Sequence, residues 1–287
     1  MSAVAGTVDL LARLDAAQIR SDPFPHVVLA PALPDATVTA LLESVPPFDV
    51  LRAGAPPGSN RRFSFPARDA LASDAVGPAW RSLLETCLSQ AFFAQLMRMF
   101  APHLRAMYPR IDTTVGPLEQ LRTGVRFRDG FDAADVLLDA LISINTPVTG
   151  RASAVRRAHV DSPHKLFAGL LYLRDPADDS HGGDLELCRF RGSRRVFRDA
   201  EVAEQDVEVV ETVAYARNTL VIYPNSLHAL HGVTVRQPTP HTRLFLNLVG
   251  ELREPLFDLT AHQKPNLLRA IVPAWARRAA RTLVGHE

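Results

Sequence analysis

The sequence predicts an α+β fold that is mainly β, with helices gathered in the first hundred residues and a sandwich or barrel of short strands after them. Two observations carry this. Up to Pro109 the apolar residues recur at helical spacing, and beyond it short runs of β-branched and apolar residues alternate between turn signals. At 287 residues and 47% hydrophobic, the chain is long enough to bury a full core, and a single domain is expected.

Taken in order, Val8–Ile19 places Leu10, Leu11, Leu14 and Ile19 at near-helical spacing and reads as a short amphipathic helix. Pro23-Phe24-Pro25-His26 opens an extended run, and after the turn at Leu33-Pro34-Asp35 a helix over Val38–Ser44 is expected, capped by Asp35 or Thr37. Val45–Arg68 is rich in proline and glycine and reads as a loop; Pro46–Pro66 within it is a candidate lid. The strongest helical face is Trp80, Leu83, Leu84, Leu88, Phe92, Phe93, Leu96, Phe100 and Leu104, with Pro102 expected to kink or end it. Strands are expected over Val115–Arg128, Val136–Asn145, Leu166–Leu173, Asp184–Cys188, Val207–Tyr215, Thr219–Pro224 and Thr242–Gly250. Ala270–Val284 returns to helical character.

Composition excludes several function classes. A formal charge of +1, from 32 basic and 31 acidic residues, gives no overall field for nucleic acid or an anionic membrane. Cys87 and Cys188 are too few for a disulfide framework and lack zinc-finger spacing, so reduced, buried thiols in a cytoplasmic protein are expected. Met1–Gln18 lacks the basic and apolar regions of a signal peptide, and Gln95 and Arg98 interrupt the most apolar stretch, so no membrane span is expected.

The chemistry concentrates between His159 and Arg243. Residues two apart in an extended chain share a face, so His159 and Asp161 present an imidazole and a carboxylate side by side, and a distant histidine can complete a three-point site. Two imidazoles and one carboxylate on one face of a metal form the arrangement of non-haem iron oxygenases. Arg243 shares a strand face with Phe245 and Asn247, while Leu244, Leu246 and Leu248 take the other. A guanidinium turned inward there needs an anion, either an internal carboxylate or a bound acid.

Ala158-His159-Val160-Asp161, Leu170-Leu171-Tyr172-Leu173, His181-Gly182-Gly183-Asp184-Leu185, His231-Gly232-Val233 and Arg243, in that order, resemble the Fe(II)- and 2-oxoglutarate-dependent dioxygenases, in particular their prolyl-hydroxylase-like branch. The resemblance implies a double-stranded β-helix (a cupin-like jelly roll) with N-terminal helices packed on it and a short C-terminal helix. It divides the single domain into a helical and loop lead-in at 1–110, a catalytic core at 111–250 and an extension at 251–287. It implies His159, Asp161 and His231 as the ligands of Fe(II), and Arg243, assisted by Tyr172, as the partner of the distal carboxylate of 2-oxoglutarate. With O2 the products are then succinate, CO2 and, by default, a hydroxylated substrate. His228, three residues before His231, is a competing ligand; an odd offset along a strand puts the two on opposite faces, and the spacing to Arg243 favours His231. His164, His181 and His241 read as surface or turn residues.

Two other classes use the same residues, a zinc hydrolase and a non-catalytic cupin-like binding protein. The zinc-hydrolase reading leaves Arg243 and its spacing unexplained. The substrate, small or peptidyl, is left open. Arg61-Arg62 and Arg156-Arg157 hint at an anionic one and read equally well as solvated surface charges.

Overall fold

Alternation along one strand organises the molecule. In β10 (Arg243–Leu252), Leu244, Leu246 and Leu248 join the larger buried cluster, and Phe245 joins a second one on the opposite face. The computed structural model describes residues 9–193 and 195–262. Strand outweighs helix among them. The remaining strands are β1 (Val27–Leu29), β2 (Arg62–Phe65), β3 (Thr123–Val125), β4 (Val136–Asn145), β5 (Lys165–Tyr172), β6 (Leu185–Phe190), β7 (Val207–Val213), β8 (Thr219–Pro224) and β9 (Leu230–Val233).

They form two sheets. A seven-stranded sheet runs β1-β8-β5-β10-β4-β2, with β3 parallel to β4, and a three-stranded sheet runs β7-β6-β9. Helices α1 (Asp35–Glu43), α2 (Phe48–Leu51), α3 (Ala67–Ala72), α4 (Pro78–Cys87), α5 (Gln90–Met107) and α6 (Ile111–Val115) precede β4 in the chain. Trp80, Leu83, Phe93, Leu96 and Phe100 of α4 and α5 pack with Ile142, Leu171, Ile222 and Leu246 in the larger cluster. Burying each such side chain stabilises the fold by roughly 1.5–3 kcal/mol relative to exposure. On the other face Ala168, Tyr172, Val221, Tyr223 and Phe245 meet Leu185, Leu187 and Val213 of the small sheet. The large sheet is therefore covered on both sides, which is why β4 is buried along its whole length.

Several expectations are corrected. Leu10 and Leu11 are buried, but Asp15 accepts from Ala17 N and pairs with Gln18 in a capping box, starting a 3-10 turn at Ala16–Gln18 where a continuous helix was expected. Helix α1 begins at Asp35, so the N-cap position falls on Pro34, whose side chain has no acceptor; Asp35 pairs with Arg217 instead. The break in the main helical stretch falls at Leu88-Ser89, where the Ser89 hydroxyl accepts from Phe92 N; α5 runs through Pro102 without ending. Val115–Arg128 holds only the three-residue β3. Its apolar residues Leu118, Leu121 and Val125 are spaced three and four apart and are buried through a 3-10 turn and the turns around it. The expected loop Val45–Arg68 contains α2 and β2, and β2 pairs with β4 in register Arg62 to Asn145. The helix expected over Ala270–Val284 lies outside the described residues.

Cys87 and Cys188 are free and buried, and burial raises both thiol pKa values. No helix among the described residues is long and apolar enough to cross a membrane.

Candidate metal centre

Backbone pairing brings the two histidines together. His159 N donates to His231 O at 2.8 Å and His231 N donates to His159 O at 2.9 Å, so a short bridge joins the segment before β5 to β9. The rings then stand 4.2 Å apart, centre to centre. Asp161, two residues on, comes to the same place, and one ligating atom from each of His159, Asp161 and His231 lies within 4.8 Å of the others. All three residues are buried.

Their protonation states suit a cation. His159 Nδ1 faces Arg157 O at 2.8 Å and His231 Nδ1 faces Ala229 O at 3.0 Å. A nitrogen against a carbonyl carries the proton, so each Nε2 is left with its lone pair, the tautomer a metal ligand needs. Burial first, then the charges of His231 and Arg156, push the His159 pKa down to about 2. Burial also lowers His231. For Asp161 burial works the other way, but Lys165, His231 and His159 outweigh it and hold the carboxyl below its usual range. Lys165 Nζ reaches Asp161 Oδ1 at 2.8 Å, while Asp161 Oδ2 lies 4.0 Å from His231 Nε2, too far for a hydrogen bond. Two neutral imidazoles and a carboxylate thus converge without satisfying one another, and a divalent metal with nitrogen and oxygen ligands fits them.

A cleft of about 200 Å³ opens over these groups, lined also by Arg62, Asn145, Arg156, Lys165 and Arg243. Arg243 is the unusual member. It is 3% exposed, its Nη1 donates to Asn145 Oδ1 at 3.1 Å, and its Nε and Nη2 have no partner. Three rings surround it, Tyr172 and Tyr215 at 4.9 Å and Phe245 at 4.7 Å from the guanidinium carbon. The Tyr172 hydroxyl is buried beside it, in reach of the guanidinium but not at hydrogen-bonding geometry; burial raises its pKa, and the charge and near contact of Arg243 pull against that rise. No internal carboxylate pairs with Arg243 among the described residues, which leaves its guanidinium able to accept an anion from outside. Gly183, at φ +84°, permits this packing, since a Cβ there would stand 3.2 Å from Arg243 Cδ.

His228 lies in the turn before β9 and faces Phe190, outside the three-residue cluster. The sequence argument separated the histidines by strand alternation; the separation arises because β9 begins only at Leu230. His181 is exposed, and His164 and His241 are partly so. His241 approaches Asp179 at 3.3 Å, and Asp178 beside it faces Arg174, an ordinary ion-pair cluster.

Tyr223, Lys165 and Asn145 were not singled out from sequence. The Tyr223 hydroxyl lies 3.1 Å from His231 Nε2, and alternation in β8 puts it on the same face as Val221. A larger groove of about 570 Å³ lies on the outer side of the small sheet, lined by Arg157, Glu186, Cys188 and Val209. It contains no such convergence of ligating groups.

No family model and no curated protein matches the chain. Solved structures do resemble it. A prolyl 4-hydroxylase structure from Phytophthora capsici is 17% identical with a TM-score of 0.46, covering 90% of this chain and 68% of its own. A Pseudomonas putida prolyl-4-hydroxylase is 16% identical with a TM-score of 0.42, covering 83% and 99%. HygX from Streptomyces hygroscopicus, solved with nickel and 2-oxoglutarate bound, is 14% identical with a TM-score of 0.39, covering 79% and 83%. At TM-scores below 0.5 these likenesses carry no argument about activity.

Proposed function

We propose that this chain is an Fe(II)- and 2-oxoglutarate-dependent dioxygenase, acting as a hydroxylase. One observation carries the reading: a buried guanidinium with two unpartnered nitrogens lies in the same cleft as a His/Asp/His donor set. His159, Asp161 and His231 would hold the iron. Iron and 2-oxoglutarate, when bound, supply the oxidising chemistry, in which O2 is consumed and succinate and CO2 are released.

The chain's own residues bind and orient. Arg243 meets the distal carboxylate of 2-oxoglutarate through its fork, with the Tyr172 hydroxyl as a second donor. Their aromatic surroundings exclude water, which strengthens that contact. Arg157 O and Ala229 O keep both imidazoles in the ligating tautomer, and Lys165 fixes Asp161 through one oxygen and leaves the other free. The two facing sheets are read as the halves of a double-stranded β-helix, with 1–287 as one cytoplasmic domain.

Anaerobic addition of Fe(II) and 2-oxoglutarate tests this. A visible charge-transfer band, followed on oxygenation by succinate, is expected. A zinc hydrolase or a non-catalytic binding protein gives no band, and its absence overturns the assignment.

A further inference from the structure

Neighbouring arginines in each of the two pairs turn to different surroundings. Arg61 folds over Phe63 at 5.0 Å, while Arg62 lies 5.2 Å from the ring of Phe245 and lines the cleft. Arg157 lines the groove on the outer side of the small sheet, while Arg156 lines the cleft with the metal-binding trio. One member of each pair therefore looks into the site. The two come from elements far apart in sequence, β2 and the segment before His159.

The charge balance of the cleft is unusual for this molecule. Surface arginines are commonly answered, as Arg105 is by Asp112 and Glu119, and Arg122 by Asp135. Inside the cleft Arg62, Arg156, Lys165 and Arg243 face a single carboxylate, Asp161, and Lys165 already takes it. Arg62 and Arg156 have no carboxylate partner among the described residues. Arg62 and Arg156 are both exposed at the mouth of the cleft, and Arg62 is crowded on its inner side: burial first, then the charge of Arg243, lowers its pKa. A divalent metal and the dianion 2-oxoglutarate carry equal and opposite charge, so loading the site does not reduce the cleft's excess of positive charge and brings no anion to Arg62 or Arg156. Like charges gathered at the mouth of one cleft repel, and an anion placed among them relieves that repulsion.

We infer that the primary substrate carries an anionic group, phosphoryl or carboxylate, and that Arg62 and Arg156 bind it while Arg61 and Arg157 take no part. The inference rests on the oxygenase reading in one respect, that Arg243 is reserved for 2-oxoglutarate. Guanidinium groups suit such oxygens because their donors lie in a planar fork.

The full chain, loaded with zinc(II) and saturating 2-oxoglutarate, is titrated with methyl phosphate, acetate and acetamide and followed by NMR. The anions are expected to shift resonances around the cleft, and acetamide to bind at least tenfold more weakly. Tighter binding of methyl phosphate than acetate assigns a phosphoryl group, and the reverse a carboxylate. Arg62→Gln and Arg156→Gln each weaken the anion about tenfold or more, and Arg61→Gln and Arg157→Gln change it less than twofold. Arg62→Lys, which keeps the charge, recovers part of the affinity and so separates binding from a folding defect. Equal binding of acetamide, equal losses in the Arg61 and Arg157 variants, or no anion binding at millimolar concentration overturns the inference. Should 2-oxoglutarate itself fail to bind, the oxygenase reading falls alone, and the same titrations on metal-free Arg243→Met still test the arginine pair.

Discussion

Replacing Arg243 with methionine separates a cosubstrate clamp from a structural cation, because the two roles predict opposite changes in the empty protein. Methionine keeps most of the length and removes the charge. The loss is one hydrogen bond, whose abandoned partner Asn145 Oδ1 costs about 1–3 kcal/mol, and the ring contacts with Tyr172, Tyr215 and Phe245, together about 1–2 kcal/mol. Against this, a buried guanidinium with Nε and Nη2 unpaired no longer has to be desolvated, a relief of several kcal/mol. The terms nearly cancel, and the metal-free Arg243→Met chain is expected within about 2 kcal/mol of wild type by urea denaturation. Its 2-oxoglutarate affinity, read from the anaerobic charge-transfer band with Fe(II), is expected to fall about a hundredfold, the equivalent of ~3 kcal/mol for a forked, charge-assisted contact. A stability loss of ~3–5 kcal/mol with unchanged 2-oxoglutarate affinity would mean a structural ion pair and refute the argument.

Substituting His159, Asp161 or His231 with alanine is expected to abolish stoichiometric metal binding in equilibrium dialysis, whereas His228→Ala, altered only in the turn before β9, binds within twofold of wild type. In the metal-free chain, His159 stays neutral far below its ordinary pKa, so under acid the unfolded state binds a proton that the folded state refuses. Stability should therefore fall by ~1.4 kcal/mol per pH unit below about pH 6.5, a drop of about 2 kcal/mol by pH 5 from this residue alone; urea melts at both pH values measure it, and His159→Asn should remove that part. Gly183→Ala forces a side chain into a positive-φ position against Arg243, and a cost of ~1–2 kcal/mol in thermal melts, with weakened 2-oxoglutarate binding, is expected.

The central strands were legible because they are long and fully covered: β4, β5, β8 and β10 lie within two residues of the expected runs. Arg62–Phe65 was not, since four residues amid proline and glycine carry too short an alternation, and pairing with β4 fixes them as a strand. Helical spacing misled at Val8–Ile19, where Asp15 bonds the backbone locally and restarts the chain. His159, Asp161, His231 and Arg243 could be singled out as candidates because they are polar residues in apolar surroundings and fall in an ordered family pattern; the fold brings the first three together. Tyr223, Lys165 and Asn145 could not, because each reaches the cleft through the pairing of its strand with a distant one. The choice between Arg61 and Arg62, or Arg156 and Arg157, likewise depends on register, which the sequence leaves free.

The bridge between His159 and His231 has a mechanical consequence. The segment 156–161 is threaded between two neighbours: Val233 N donates to Arg156 O and the two histidines exchange backbone bonds on one side, while Val160 N donates to Ala200 O and Val202 N to Ala158 O on the other. It closes the edge of the small sheet at β9, and the two side chains at the seam are the imidazoles themselves. A cation clasped by both rings would fasten that seam as a rivet fastens two plates, and vacating it should let the edge breathe. Amide hydrogen exchange at His159, Val160, His231 and Val233 would then slow together on metal loading, while the core of β4 keeps its own pace. Occupancy of the centre and closure of the sheet would then be one cooperative event.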